Sequence, residues 1–258
     1  MKRCALILLS MVVLLGGCAG GLDDDDFATI AAEPELDSPV VEPEQTAVPV
    51  VGNAGVYTPE IIDPSEATFV DGVDHIYMPL PEGREWVYEG TKEGQFRRDE
   101  MRILPDPEII EGVACAARYQ EVFLDGELVE QTTEWFAQDT QGNVWKFGEE
   151  SFEFSDGAWA LDEDSWRAGV DETAAWKFLA GTPEVDDLYT DDGVETRIVL
   201  SLNETVDVPA GAFGGCLKIG ENQDDPDDKD IVIYSPSVGL VSEDNAAGRL
   251  ELISVVDR

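Results

Sequence analysis

From about Ala67 onward, apolar and polar residues alternate with a period of two, in one run after another. In Val113 to Leu124 one face reads Val113, Cys115, Ala117, Tyr119 and Phe123. Asp125-Gly126 separates this run from Glu127 to Ala137, and such a dipeptide suits a tight hairpin because both positions accept positive φ. Glu93-Gly94 separates Arg84 to Thr91 from Gln95 to Leu104 in the same way, and Gln141-Gly142-Asn143 precedes Val144-Trp145-Lys146-Phe147. Alternation returns in Thr196 to Leu202, Cys216 to Gly220, Ile231 to Tyr234 and Leu250 to Val256. No long stretch carries a helical stripe, although Asp162 to Arg167 has room for a short helix. The pattern predicts a mainly β domain over 67–258. Its form is an antiparallel meander of about ten strands, bent into a curved sheet, open barrel or sandwich.

The first 66 residues follow another grammar. Lys2 and Arg3 precede an apolar run, Ala5 to Leu15, broken only by Ser10. That run is too short for a membrane-spanning helix, which needs roughly 20 residues, but it fits the core of a signal peptide. It ends in Leu15-Gly16-Gly17-Cys18, which resembles the bacterial lipobox. The resemblance implies a signal peptide over 1–17, cleavage before Cys18 and acylation of Cys18, with several chains giving a stable anchor at about 0.8 kcal/mol per buried methylene. Ala19 stands where an Asp would imply retention at the inner membrane, so the resemblance implies the outer membrane of a diderm cell. Residues 19–66 hold 12 acids, six prolines and no Lys or Arg. Their apolar residues are small and scattered, so 18–66 is expected to be a disordered, self-repelling tether.

Charge narrows the choice of partners. The chain carries 16 Lys and Arg against 56 Asp and Glu, a formal net charge of −40. A surface of that sign repels nucleic acid, and nucleic-acid binding is excluded on that ground. The membrane contact expected is the lipid anchor, and a basic or cationic partner or another envelope protein is compatible with the charge.

Candidate chemistry is sparse. Cys4 leaves with the signal and Cys18 is acylated, which leaves Cys115 and Cys216; an even remainder in an exported chain predicts a disulfide between them. Closing that loop of about 100 residues would stabilise by about 4 to 5 kcal/mol in the chain-entropy picture. Asp224, Asp225, Asp227, Asp228 and Asp230 crowd one segment between two predicted strands, an oxygen-rich set of the kind that suits Ca²⁺. The spacing does not follow the EF-hand loop, and a solvated acidic hairpin tip is the competing reading. The single histidine, His75, is expected to cap a loop. No Gly-x-Ser-x-Gly motif places a nucleophile, so no catalytic residue is assigned. The six tryptophans are read as core, with an aromatic ligand cleft as the alternative.

Several phrases together resemble a group of uncharacterised bacterial secreted proteins and lipoproteins with a Trp-rich β domain. They include Gly83-Arg84-Glu85-Trp86-Val87-Tyr88, Thr133-Glu134-Trp135-Phe136-Ala137, Gly142-Asn143-Val144-Trp145-Lys146-Phe147-Gly148-Glu149 and Gly215-Cys216-Leu217-Lys218. The resemblance spans roughly 77–245 and implies the fold class; it brings no activity. The chain departs from it at Ala174-Ala175-Trp176-Lys177-Phe178-Leu179-Ala180, where a Gly-Pro-rich loop is expected. Three functions stay open: a non-catalytic envelope lipoprotein with a binding or structural domain, a half-barrel lipid carrier, and a carboxylate-dependent hydrolase.

Overall fold

The computed structural model describes residues 66–258 except 156, 171, 172, 192–194 and 224–228. Strands dominate. In chain order they are β1 (Phe69–Val70), β2 (Asp74–His75), β3 (Met78–Pro79), β4 (Arg84–Lys92), β5 (Gln95–Ile103), β6 (Glu108–Ile110), β7 (Val113–Leu124), β8 (Glu127–Asp139) and β9 (Val144–Ser155). Then follow β10 (Ala158–Leu161), β11 (Trp166–Arg167), β12 (Trp176–Leu179), β13 (Leu188–Thr190), β14 (Thr196–Val208), β15 (Gly211–Glu221), β16 (Asp230–Ser235), β17 (Gly239–Asn245) and β18 (Gly248–Asp257). Ten of them, β4, β5, β7, β8, β9 and β14 to β18, are six residues or longer and form the frame.

The frame is one antiparallel sheet made of two meanders. Along it the order is β10-β9-β8-β7-β5-β4-β18-β17-β16-β15-β14-β13. The first long strand therefore pairs with the last, Trp86 opposite Val255 and Tyr88 opposite Leu252. Gly90 permits that junction, because a Cβ there would lie 1.9 Å from the Arg249 carbonyl oxygen. The expected hairpins form where the turn dipeptides stand. Lys92 faces Gln95 and Leu124 faces Glu127. Glu93, Gly94, Asp125 and Gly126 all have positive φ, as turns matched to strand twist require. At the β8–β9 turn, Asp139 accepts from the backbone N–H of Gln141 (2.8 Å) and Asn143 (2.9 Å) and from Trp145 Nε1 (2.9 Å). Register shifts at Val122/Phe123, Trp135/Phe136 and Leu252/Ser254 bend the sheet.

The sheet curves until its two ends face each other, but it does not close. At the seam β12 pairs with β9, and β12 lies beside β13 without forming a ladder with it. The concave face holds the main core, including Trp86, Phe136, Val144, Trp176, Leu217, Val241 and Leu252. Strands β7, β8 and β9 are also buried on the convex side. There Cys115, Ala117, Trp135, Trp145 and Phe147 form a second cluster, flanked by β6 and β11, which pair with β7 and β9.

Two expectations are corrected here. Asp162 to Arg167 is not helical: the Asp162 carboxylate accepts from the Asp164 backbone N–H (2.8 Å), a local bond that competes with helix, and Trp166–Arg167 joins the sheet against Glu149 and Gly148. Cys115 and Cys216 are not bridged. Both are buried free thiols. Cys115 sits in the convex cluster and Cys216 in the concave core, on strands that five others separate along the sheet (β5, β4, β18, β17 and β16).

Candidate functional site

Along several strands the concave face changes character halfway. Positions two apart share a face. On β5 the buried series Ile103, Met101 continues as Asp99 and Arg97; on β8 Phe136 continues as Glu134, Thr132 and Glu130. On β14 Val199 gives way to Arg197, and on β17 Val241 gives way to Glu243. One end of the open barrel is therefore packed with apolar side chains. The other is lined with charge around a cavity of about 300 Å³, at the small end of the usual ligand-pocket range of roughly 300 to 1,000 Å³.

Eleven charged side chains line this cavity. Four are cations (Arg97, Arg118, Lys146, Arg197) and seven are acids (Asp99, Glu130, Glu134, Glu149, Glu195, Glu221, Glu243), a formal surplus of three negative charges. Each cation has a close carboxylate. Arg97 holds Asp99 in a two-pronged bond (2.8 and 2.7 Å), and Gln120 adds a third donor to Asp99 (2.7 Å). Arg118 donates to Glu134, Lys146 to Glu149 (2.6 Å), and Arg197 to Glu221 and to the Tyr234 hydroxyl (3.2 Å). Two cations also face Phe178, whose ring centre is 3.7 Å from Arg197 Cζ and 5.9 Å from Lys146 Nζ. Glu195 bridges the seam between them, 3.9 Å from Lys146 and 3.8 Å from Arg197.

The carboxylates split into two kinds. Burial works to raise the Glu134 carboxyl, but Arg118 and Lys146 outweigh it and hold it down to about 2. Burial prevails at Glu243, where Arg97 stands off at 3.7 Å and Asp230, Glu221 and Asp99 add repulsion; this carboxyl is pushed up to about 7. Glu195 is raised by burial, with Glu221 and Glu149 adding to it against the pull of Lys146 and Arg197. Burial also raises Glu130, which hydrogen-bonds to Thr132. These three lack the short ion pairs that satisfy the other four. In the opposite sense, Arg197 is 2% exposed and its Nε has no hydrogen-bond partner.

No protein-family model, curated protein or solved structure matches the chain.

Most of the residues that the sequence singled out lie elsewhere. Cys18, Asp224, Asp225, Asp227 and Asp228 fall outside the described residues. Asp230 opens β16, opposite Glu221 and Asn245. Among the described residues no group of three or more His, Cys, Asp or Glu side chains converges as a metal site. His75 is buried; its Nδ1 accepts from the Tyr77 N–H (3.2 Å) and its Nε2 donates to the Ala180 carbonyl (3.1 Å). That fastens the segment before β4 to the end of β12, a structural role. Burial lowers its pKa. Four tryptophans (Trp86, Trp135, Trp145, Trp176) are buried and Trp159 is exposed; no tryptophan lines the cavity, whose aromatic walls are Tyr88, Phe178 and Tyr234. The charged residues were missed although they stand in core parity: Arg97-x-Asp99-x-Met101-x-Ile103 and Glu130-x-Thr132-x-Glu134-x-Phe136. The strongest sequence signal was an acid or base in step with buried neighbours, and two phrases of the resemblance already held Glu134, Lys146 and Glu149.

Proposed function

We propose that the chain is an exported lipoprotein, acylated on Cys18 and held at the outer membrane. Its open β barrel binds a small polar molecule of the cell envelope in the charged end. One observation carries the binding part: the concave face is apolar and filled at one end, yet lined by eleven charged side chains around a 300 Å³ cavity at the other. Burying charge costs several kcal/mol per ion before pairing, so a face that only had to pack would have continued the apolar series. The same lining favours a polar ligand over the apolar chain of a lipid. A carboxylate-dependent hydrolase is the second reading, favoured by the raised Glu195 and Glu243 in one cavity.

The anchor and the cavity are tested separately. Mass spectrometry of the amino-terminal peptide from the native protein should show fatty acyl mass on Cys18, and Cys18→Ser should move the protein into the soluble fraction. An unacylated peptide that still carries residues 1–17 would end the anchor proposal. For the cavity, small polar envelope extracts should raise the melting temperature of the full chain, and that rise should vanish in Arg118→Met. A rise that survives Arg118→Met would place binding outside the barrel.

A further inference from the structure

The two end strands of the sheet differ. β13 lies against β12 at the seam, whereas β10 pairs with β9 alone among the described residues. All four residues of β10, Ala158-Trp159-Ala160-Leu161, are apolar and exposed. Edge strands are usually blunted by a charge, a proline or a bulge that blocks further pairing, and β10 has none of these. Just beyond it, the Asp162 N–H donates to the Ser151 carbonyl (2.8 Å). That bond makes Leu161–Phe152 and Trp159–Phe154 the ladder pairs without mutual hydrogen bonds, so the backbone N–H and C=O of Trp159 and Leu161 point away from β9.

The same register sorts the side chains. Phe152, Phe154, Trp159 and Leu161 share one face and are all exposed, with the rings of Phe154 and Trp159 5.5 Å apart. The opposite face carries Ala158 and Ala160, with Glu153 beside Ala160 on β9. From Phe147 to Trp166 the chain has seven acids and no Lys or Arg. An occupant of this edge therefore needs backbone groups to bond, apolar side chains for one face and positive charge for the other. A bilayer fails the first demand, because unpaired N–H and C=O groups are strongly disfavoured in hydrocarbon. A second copy and the chain's own residues 19–66 fail the last: each copy carries a formal −40, and 19–66 hold 12 acids and no Lys or Arg.

We propose that β10 is a docking edge for an extended segment of another protein, in which apolar residues alternate with Lys or Arg. The segment adds to the sheet as a further strand. Its backbone bonds to Trp159 and Leu161, and its apolar residues pack beside those two side chains. Its cations reach over the small Ala158 and Ala160 to Glu153. None of these residues lines the charged cavity, so the docking edge stands or falls apart from the binding reading above.

Calorimetric titration of the full-length protein with three peptides tests this. Acetyl-Lys-Val-Lys-Val-Lys-Val-amide alternates as required. Acetyl-Lys-Lys-Lys-Val-Val-Val-amide keeps the composition and loses the alternation, and acetyl-Glu-Val-Glu-Val-Glu-Val-amide reverses the charge. The first should bind saturably, and the other two at least tenfold more weakly. Leu161→Pro removes an outward N–H but no bond to β9, and Trp159→Ser removes the centre of the apolar patch. Each should weaken the first peptide at least tenfold. Both positions are exposed on an end strand, so the fold should survive, and a melting curve checks this. If the block peptide binds as well as the alternating one, or Leu161→Pro leaves binding unchanged, the attraction is only that of a −40 chain for any cation and the inference falls. A match by the acidic peptide overturns the choice of a basic partner, and no saturable binding of the first peptide overturns the docking edge. Sedimentation of the protein alone closes the remaining route: self-association abolished by Leu161→Pro would make a second copy the occupant and refute the proposal.

Discussion

The two ends of the concave face are built on the same strands and the same parity, yet they obey opposite rules. At the apolar end, Phe136, Val144, Leu217, Val241 and Leu252 are almost fully buried and need nothing beyond one another. At the charged end, Glu134 is two residues from Phe136, and Arg197 is two from Val199. Those side chains need specific partners at specific distances. The apolar end holds the barrel together; the charged end surrounds a cavity of about 300 Å³. The contrast can be tested by substitutions on neighbouring inward positions.

The largest effect is expected at the apolar end. Phe136→Ala removes a fully buried ring that packs against Phe178 at 5.1 Å. It should destabilise by about 4 kcal/mol, the usual range for such truncations being about 3 to 5. Urea denaturation at pH 7 measures it. A loss below about 1 kcal/mol would mean that the core is not where the structure places it.

Next comes the broken pair at the charged end. Arg118→Met leaves Glu134 buried with Lys146 at 3.3 Å as its remaining ion-pair partner, and should cost about 3 kcal/mol. Adding Glu134→Gln removes the stranded charge and should recover most of that loss. Two independent losses that simply add would show that Arg118 and Glu134 are not coupled. No such recovery is available at Phe136, and in that respect the two ends differ in kind.

This difference also explains what the sequence discloses. The hairpin dipeptides and the alternating runs announced the frame, because turn chemistry and a period of two are local signals. Asp125-Gly126 and Glu93-Gly94 stand where the chain turns. The joining of β4 to β18 was not legible, since nothing local in Tyr88 names Leu252 as its neighbour. The cavity was hidden for a related reason. Arg97 or Glu130 looks like a solvent-facing residue until the sheet curls and makes its face an interior. In a chain with 56 acids, the spare carboxylates could not be told from solvated ones by composition. The Cys115–Cys216 bridge failed because even-number arithmetic ignores that Cys115 on β7 and Cys216 on β15 are buried in different clusters.

A smaller effect, of opposite sign, should separate the two kinds of carboxylate. Glu243, pushed up to about 7 against an ordinary 4.5, keeps its proton longer in the fold than in the unfolded chain. The native state then binds more protons between those values, and stability falls as the pH rises across that window. Glu243→Gln should therefore stabilise by about 1 to 2 kcal/mol at pH 8 and change little at pH 4. Glu134 behaves in reverse. Held down to about 2, it contributes stability that is present above 4.5 and lost as the pH falls through about 2. Denaturation of Glu134→Gln should show a penalty at pH 7 that shrinks toward pH 2. Equal responses of the two variants to pH would erase the distinction between satisfied and spare acids.

The smallest effect concerns the thiols, and it bears on which surfaces of β7 are interior. Cys115 is fully buried in the convex cluster, and burial pushes its thiol up to about 12; burial also raises Cys216 in the concave core. A thiol reacts as its thiolate, so both should be inert in the native protein and become reactive only when the chain unfolds. Thiol titration of the unlipidated Cys18→Ser protein, stripped of its signal, should give two thiols in denaturant and none in buffer. Reducing agent should leave the melting temperature unchanged to within about 1 °C, because no cross-link restrains the unfolded chain. If denatured protein yields no thiol, a bridge exists, and the sheet must bring β7 and β15 together in a way the present strand order forbids. If instead one thiol reacts in buffer, the cluster that holds it is open to water, and the reacting residue tells which side of the barrel is less well sealed.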